Sequence, residues 1–265
     1  MTLARRLLVA ALLAFVAGLP GQIVLAQKKA AADPRRSGFD FMSASTQAMQ
    51  RDDALNPGML WVKGGEALWQ TPAGLSNKSC ASCHAAASTS MKGVAAHYPS
   101  FDDKLKLPIT LSQRINQCRQ QHQQAPVLRP ESEELLGLES YVALQSRGMP
   151  IAPSGDPGLK PFLQSGEQRF MQRMGQLNLS CAQCHDANAG RRLGSSAIPE
   201  AHPAGYPAYR LEWQAMGSLQ RRLRNCMSGV RAEPFNYGSQ ELVELELYLN
   251  ARAKGMAMET PAVRP

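Results

Sequence analysis

At 265 residues the chain has room for two domains of ordinary size, each closing its own core. Its 29 Lys and Arg against 21 Asp and Glu give a formal charge of +8. Only one stretch, at the N-terminus, is apolar enough to raise the question of a membrane, which excludes a protein with several membrane spans.

Arg5 and Arg6 precede an apolar run from Leu7 to Leu19, followed by Val24-Leu25-Ala26. This is the pattern of a secretory signal over residues 1–26, cleaved after Ala26; a membrane anchor would need a longer run. The mature chain is expected in the periplasm, free of the membrane. Residues 27–50 read as a lead-in, and Gln27 to Gly38, without apolar periodicity, is expected to be mobile.

Cys80-Ala-Ser-Cys83-His84 and Cys181-Ala-Gln-Cys184-His185 are CxxCH boxes, in which two thiols bond the porphyrin vinyl groups and the histidine coordinates iron. Two such boxes among six Cys and five His far exceed chance. They outweigh a reading as three disulfides, or as a thioredoxin-like CxxC, whose Val/Ile-rich strands are missing. Two covalent haem c groups are expected, attached at Cys80, Cys83, Cys181 and Cys184, with His84 and His185 as iron ligands. Loss of Arg5 and Arg6 and the charge of the haem propionates bring the holoprotein near neutrality, so nucleic acid drops out as a partner.

The chain states this unit twice. Gly65-Glu66 and Gly166-Glu167 each stand 15 residues before a box, and Trp69 and Phe170 follow at matching places. LSQRINQC ending at Cys118 is echoed by LQRRLRNC ending at Cys226. Glu134-Leu135, Leu138-Glu139, Tyr141 and Gly148-Met149 recur, displaced by 107, as Glu241-Leu242, Leu245-Glu246, Tyr248 and Gly255-Met256. The predicted fold is mainly α, two tandem cytochrome c-like haem domains related by duplication, over 51–153 and 154–260. Each reads as helix, haem loop, helix and closing helix, with Pro150, Pro153, Pro157 and Pro161 at the boundary. Ser239 and Ser132 are placed to cap the closing helices, whose Leu and Tyr faces read as core against the helix preceding each box. The second half is longer between His185 and Cys226, 41 residues against 34, and the excess around Gly190 to Tyr209 is expected to border the second haem.

The second axial ligand decides whether each iron carries electrons or does chemistry. Met149 and Met256 match in the repeat but follow helix-ending glycines. His97 and His202 have no counterparts, and His122 is a rival at the first haem. Cys118 and Cys226 are equivalent, each with an arginine four residues earlier, Arg114 and Arg222, which places the pairs on one helix face. Repeat logic favours thiolates at both irons; a Cys118–Cys226 disulfide or two inert buried thiols stay open. Arg221, Arg222, Arg224 and Arg231 surround Cys226 with no acid between Glu212 and Glu233, a setting that favours a thiolate and attracts an anion. Gly229 lets backbone approach or turn there.

Cys226-Met-Ser-Gly229-Val230-Arg231-Ala232, with Gly238-Ser239, Glu241-Leu242 and Leu245-Glu246-Leu247-Tyr248-Leu249, resembles the SoxA family, the catalytic subunits of the SoxAX cytochromes of bacterial thiosulfate oxidation. The likeness spans about residues 50 to 258 and, with Cys118 present, resembles the di-haem form. It implies His84/Cys118 and His185/Cys226 as iron ligand pairs, a Cys226 able to carry an extra sulfur, and substrate held by Arg222, with Arg231 and Arg224 as further candidates. It also implies a SoxX-like mono-haem cytochrome partner and a SoxYZ-like carrier whose cysteine receives thiosulfate, an L-cysteine S-thiosulfotransferase activity. A thiosulfate dehydrogenase making tetrathionate and a plain di-haem electron carrier are the other classes.

Overall fold

The computed structural model describes residues 33–265; the signal read at 1–26 lies outside them, as do residues 27–32. Residues from Pro34 onward form one compact unit. Two helix pairs carry the repeat: α1 (Ala44–Arg51) leads into α2 (Gly58–Gln70), then α3 (Cys80–His84), α4 (Ala87–Ser90), α5 (Leu111–Cys118) and α6 (Glu133–Leu144). The second half follows as α7 (Lys160–Met171), α8 (Cys181–His185), α9 (Leu219–Gly229) and α10 (Gln240–Arg252).

In each half the helix before the box crosses the closing helix so closely that no side chain fits between. A Cβ on Gly65 of α2 would lie 2.0 Å from the Gly137 carbonyl oxygen of α6, and one on Gly166 of α7 would lie 2.1 Å from the Glu244 carbonyl oxygen of α10. Glycine at this spot is therefore a packing requirement, stated twice. Beside each crossing an aromatic pair closes the core, Trp69 with Tyr141 at 5.9 Å and Phe170 with Tyr248 at 5.4 Å between centroids. Leu242, Leu245 and Leu249 are buried on α10, as Leu135 and Leu138 are on α6; each contributes on the order of 1.5–3 kcal/mol. Ser132 caps α6 through the Leu135 amide, whereas Ser239 holds the N-cap place of α10 without a capping hydrogen bond.

Small sheets are the part the repeat pattern did not show. β1 (Ser100–Asp102) pairs antiparallel with β2 (Leu107–Ile109) ahead of α5, and β5 (Ala208–Arg210) with β6 (Ala215–Gly217) ahead of α9, after a separate β3 (Arg192–Leu193) and β4 (Ser196–Ala197) hairpin. Three-residue strands are too short for alternation to reveal. At the chain end β7 (Ala262–Arg264) adds to β5 in parallel, burying Ala262 and Val263.

The halves interlock through equivalent segments. The turn after α6 and the turn after α10 run antiparallel and exchange backbone bonds: Gly148 N–H to Met258 O, 2.8 Å; Met258 N–H to Met149 O, 2.9 Å; Ile151 N–H to Met256 O, 2.8 Å. Met149 and Met256 are thus part of this seam, and Met256 is buried in the core. The mobility expected for Gln27 to Gly38 does not extend to its last residues: Ser37 is buried and its side chain accepts from the Phe39 amide. The Arg35 guanidinium donates to the carbonyls of Arg252 and Lys254 at the end of α10, a satisfaction of orphan carbonyls that composition does not reveal.

Candidate haem-thiolate site

Ser180 opens α8 with a reciprocal cap, accepting from the Gln183 amide while Gln183 Oε1 accepts from the Ser180 amide. The cap fixes a short helix on which Cys181 and Cys184, three residues apart, share a face and His185 projects beside them. His185 Nδ1–H donates to the Pro199 carbonyl at 2.7 Å. This sets the tautomer and leaves Nε2 for a metal, the usual outer-shell arrangement of a ligating histidine. Burial pushes the His185 imidazole below its ordinary range, which keeps the neutral, ligating form.

α9 supplies the facing side. Ser218 caps it through the Arg221 amide, and Cys226 stands one turn beyond Arg222. His185, Arg222 and Cys226 line one cavity of about 690 Å³, with Tyr206, Leu219, Leu223 and Leu249 among its walls. Burial first, and then Cys226 nearby, pushes the Cys181 thiol up to about 11, so the box and Cys226 are electrostatic neighbours. A roomy, partly apolar cavity that brings together His185, with its Nε2 left for a metal, and the Cys226 thiol, while Cys181 packs against the same Leu219, Leu223 and Leu249, has the residues that would hold a covalently bound haem c. None of the six cysteines is in a disulfide, which removes both the three-disulfide reading and a Cys118–Cys226 bridge.

The four arginines near Cys226 part company. Burial opposes the charge of Arg222, yet Cys226, Tyr206 and Glu212 around it hold the guanidinium above its ordinary value. It is the arginine of the four that faces the cavity. Arg221 stacks on Trp213 at 4.2 Å, and Arg224 lies over Tyr237 at 4.5 Å and donates to the Phe235 carbonyl. Arg231 is exposed, in a left-handed turn whose carbonyl accepts from the Gln176 amide. Gly229 is the last residue of α9.

In the first half α3 is capped by Ser79 in the same way, and Cys118 ends α5. Burial, and then Cys83 nearby, raises the Cys118 thiol while Arg114 lowers it; Arg114 itself pairs with Asp102 at 3.1 Å. Here the histidine is exposed and lies 5.8 Å from the Trp69 ring, in contrast to the half-buried His185. Rival His122 sits on an exposed turn of π-helix, and His97 Nδ1 is bound to the Ala152 carbonyl at 2.6 Å.

Several cavity residues escaped sequence reasoning. Arg210 on β5, Arg192 on β3 and Arg264 on β7 add cations, His202 joins the wall, and Gly38 to Thr46 closes one side. The 108-residue offset between the two β-ribbons was the available signal for Arg210; no local pattern marks the rest. The excess loop does border this cavity, through Arg192, Ser195, Ala197 and Pro199.

The SoxA/TsdA cytochrome c domain family matches residues 64–151 and 165–258 of this chain. The chain is 38% identical to the L-cysteine S-thiosulfotransferase subunit SoxA of Pseudaminobacter salicylatoxidans, over 88% of its own length and 82% of the relative's. The chain belongs to the SoxA family. The SoxA of Paracoccus pantotrophus is 33% identical over 86% and 78% of the two chains. The crystal structure of SoxXA from P. pantotrophus superposes with a TM-score of 0.84 at 33% identity, covering 87% of each chain. Membership in this cytochrome c family means covalent haem c, and the paired matches coincide with the two repeats. Among the described residues no helix is long and apolar enough to cross a membrane.

Proposed function

We propose that this SoxA-family chain is the catalytic subunit of a periplasmic L-cysteine S-thiosulfotransferase, and that Cys226 is its catalytic residue. The observation that carries this is the cavity in which Arg222, Cys226 and His185 meet. The chain is read as two haem domains, 51–153 and 154–260, with His84/Cys118 and His185/Cys226 as the ligand pairs. Its partners are a SoxX-like mono-haem cytochrome, as in the SoxXA relative, and a SoxYZ-like carrier presenting a cysteine.

The residues divide the work. Arg222, half-buried and held charged by its neighbours, docks the thiosulfate dianion one helical turn from the Cys226 sulfur. Arg210 and the outlying Arg224 and Arg231 add positive potential that draws the anion in. Joining thiosulfate to a carrier thiol forms one S–S bond, releases the thiol proton and withdraws two electrons. Haem c held by Cys181, Cys184 and His185 would supply one-electron acceptance, with the partner cytochrome as the onward acceptor. Cys226 holds the outer sulfur during transfer, and the exposure of the cavity lets the carrier reach it.

The test is Cys226→Ala in the purified complex, assayed for thiosulfate oxidation with and without carrier. Loss of carrier-dependent turnover with both haems still attached by mass supports the reading. Full activity in the variant, or wild-type tetrathionate formation without carrier, overturns it.

A further inference from the structure

Between the two halves lies a second cavity, of about 130 Å³, lined by carboxylates rather than by arginines. Glu139 of α6 and Glu246 of α10 face it from equivalent positions, and Glu131 stands at its side. Gln220, Asn116, Asn250 and Tyr237 complete its polar lining. Glu139 and Glu246 are partly buried and both line this cavity. No described side chain or amide hydrogen-bonds the Glu139 carboxyl, an expensive arrangement for a charged group. Gln220 bonds Glu246, and the Ser218 amide donates to Glu131 at 3.3 Å. No three of the described acids, histidines or cysteines are placed to hold a metal ion.

The position gives the pair a use. Pro203, Tyr206 and Leu219 line both this cavity and the one containing Cys226, so one layer of side chains separates them. On the other side Ala95, Leu111, Ala143 and Ile151 belong to the core against which Cys80 packs. We propose that Glu139 and Glu246 form an internal proton site shared by the two haem halves, taking up one proton as an electron arrives and releasing it as the electron leaves. The proton enters from solvent past Glu131 and Tyr237 and converts one carboxylate to a carboxylic acid, so the buried region gains an electron and a proton together. In turnover the electron comes from the sulfur substrate; in the test it comes from dithionite. This rests on the two-haem reading above.

The surrounding charges leave the pair free to act. Of the titratable groups lining the cavity, Tyr98, Tyr206 and Tyr237 are phenols and the rest are the three carboxylates. Arg221 and Arg224 of α9 act on Glu131 and Tyr237 instead. From the other packed elements, Arg169 of α7 pairs with Glu244, Arg114 of α5 with Asp102, Lys63 and Glu66 of α2 are exposed, and His97 bonds Ala152. Burial, and then Glu246 beside it, pushes Glu139 up to about 8, and burial pushes Glu246 up to about 7, a range in which a proton exchanges at neutral pH.

Potentiometric titration of the holoprotein from about pH 5.5 to 9 tests this, after mass spectrometry has counted the haems. The wild type is expected to lose potential with rising pH around 7 to 8, toward the 59 mV per unit that corresponds to tenfold in a one-electron equilibrium. Glu139→Gln with Glu246→Gln should flatten the slope and remove a protonated-carboxyl stretch from redox-difference infrared spectra. Should the double variant not fold, Glu139→Gln alone should remove the part of the slope near pH 8. A wild type with no slope, or a slope and carboxyl band that survive the substitutions, overturns the proposal. A chain with one haem would refute the two-haem reading separately, and the slope at that haem would still judge the pair.

Discussion

Arg222 and Glu139 are both partly buried ionisable groups, and they differ in what they cost. Arg222 is compensated by the groups around it, so its guanidinium remains a standing anion site. Replacing it with Ala removes a charge-assisted bond of about 1.5–3 kcal/mol, which predicts a KM for thiosulfate raised roughly 10- to 100-fold. Arg222→Lys, which keeps charge without the planar fork, should fall between. Steady-state kinetics with saturating carrier measures this; an unchanged KM would clear Arg222 of substrate binding. Glu139 is not compensated. Its folded-state proton affinity is raised from the ordinary 4.5 to about 8, so the protonated form stabilises the fold at low pH and that contribution is lost as pH rises through 8. Wild-type stability should therefore decline between about pH 5 and 8, by on the order of 1 kcal/mol per unit, and Glu139→Gln should flatten the decline in denaturant titrations.

At the scale of elements, the α2–α6 and α7–α10 crossings are the most constrained contacts in the fold. Gly65 and Gly166 admit no Cβ without moving a helix backbone. Gly65→Ala or Gly166→Ala should cost about 1–3 kcal/mol or more from overpacking. Each kcal/mol lowers Tm by about 2–4 °C in a chain of this size. Calorimetry decides it, and variants with unchanged Tm would show that the helices part easily. These crossings were legible beforehand, since both glycines stand 15 residues before a box in matching context. The β-ribbons were not, because strands of three residues carry no periodic signal, and with them Arg210 was overlooked.

The whole molecule is not two beads on a string. The turns after α6 and α10 exchange backbone bonds, and β7 returns to pair with β5. Unfolding one half exposes apolar surface and breaks hydrogen bonds of the other, so the holoprotein should unfold in one cooperative transition, with haem absorbance and far-UV circular dichroism superimposing. Two resolved transitions would show the halves to be independent. The sequence by itself determined the chemistry's raw materials: the CxxCH boxes, the duplication, and an arginine one turn before each remaining cysteine. Covalent and helical spacing are local, so residue order suffices to read them. Only the tertiary structure decided which arginine shares a cavity with Cys226, that residues near the start and end of the described chain wall that cavity, and that Glu139 and Glu246 line another together. Those are contacts between segments far apart in the chain, made by the packing of one half on the other.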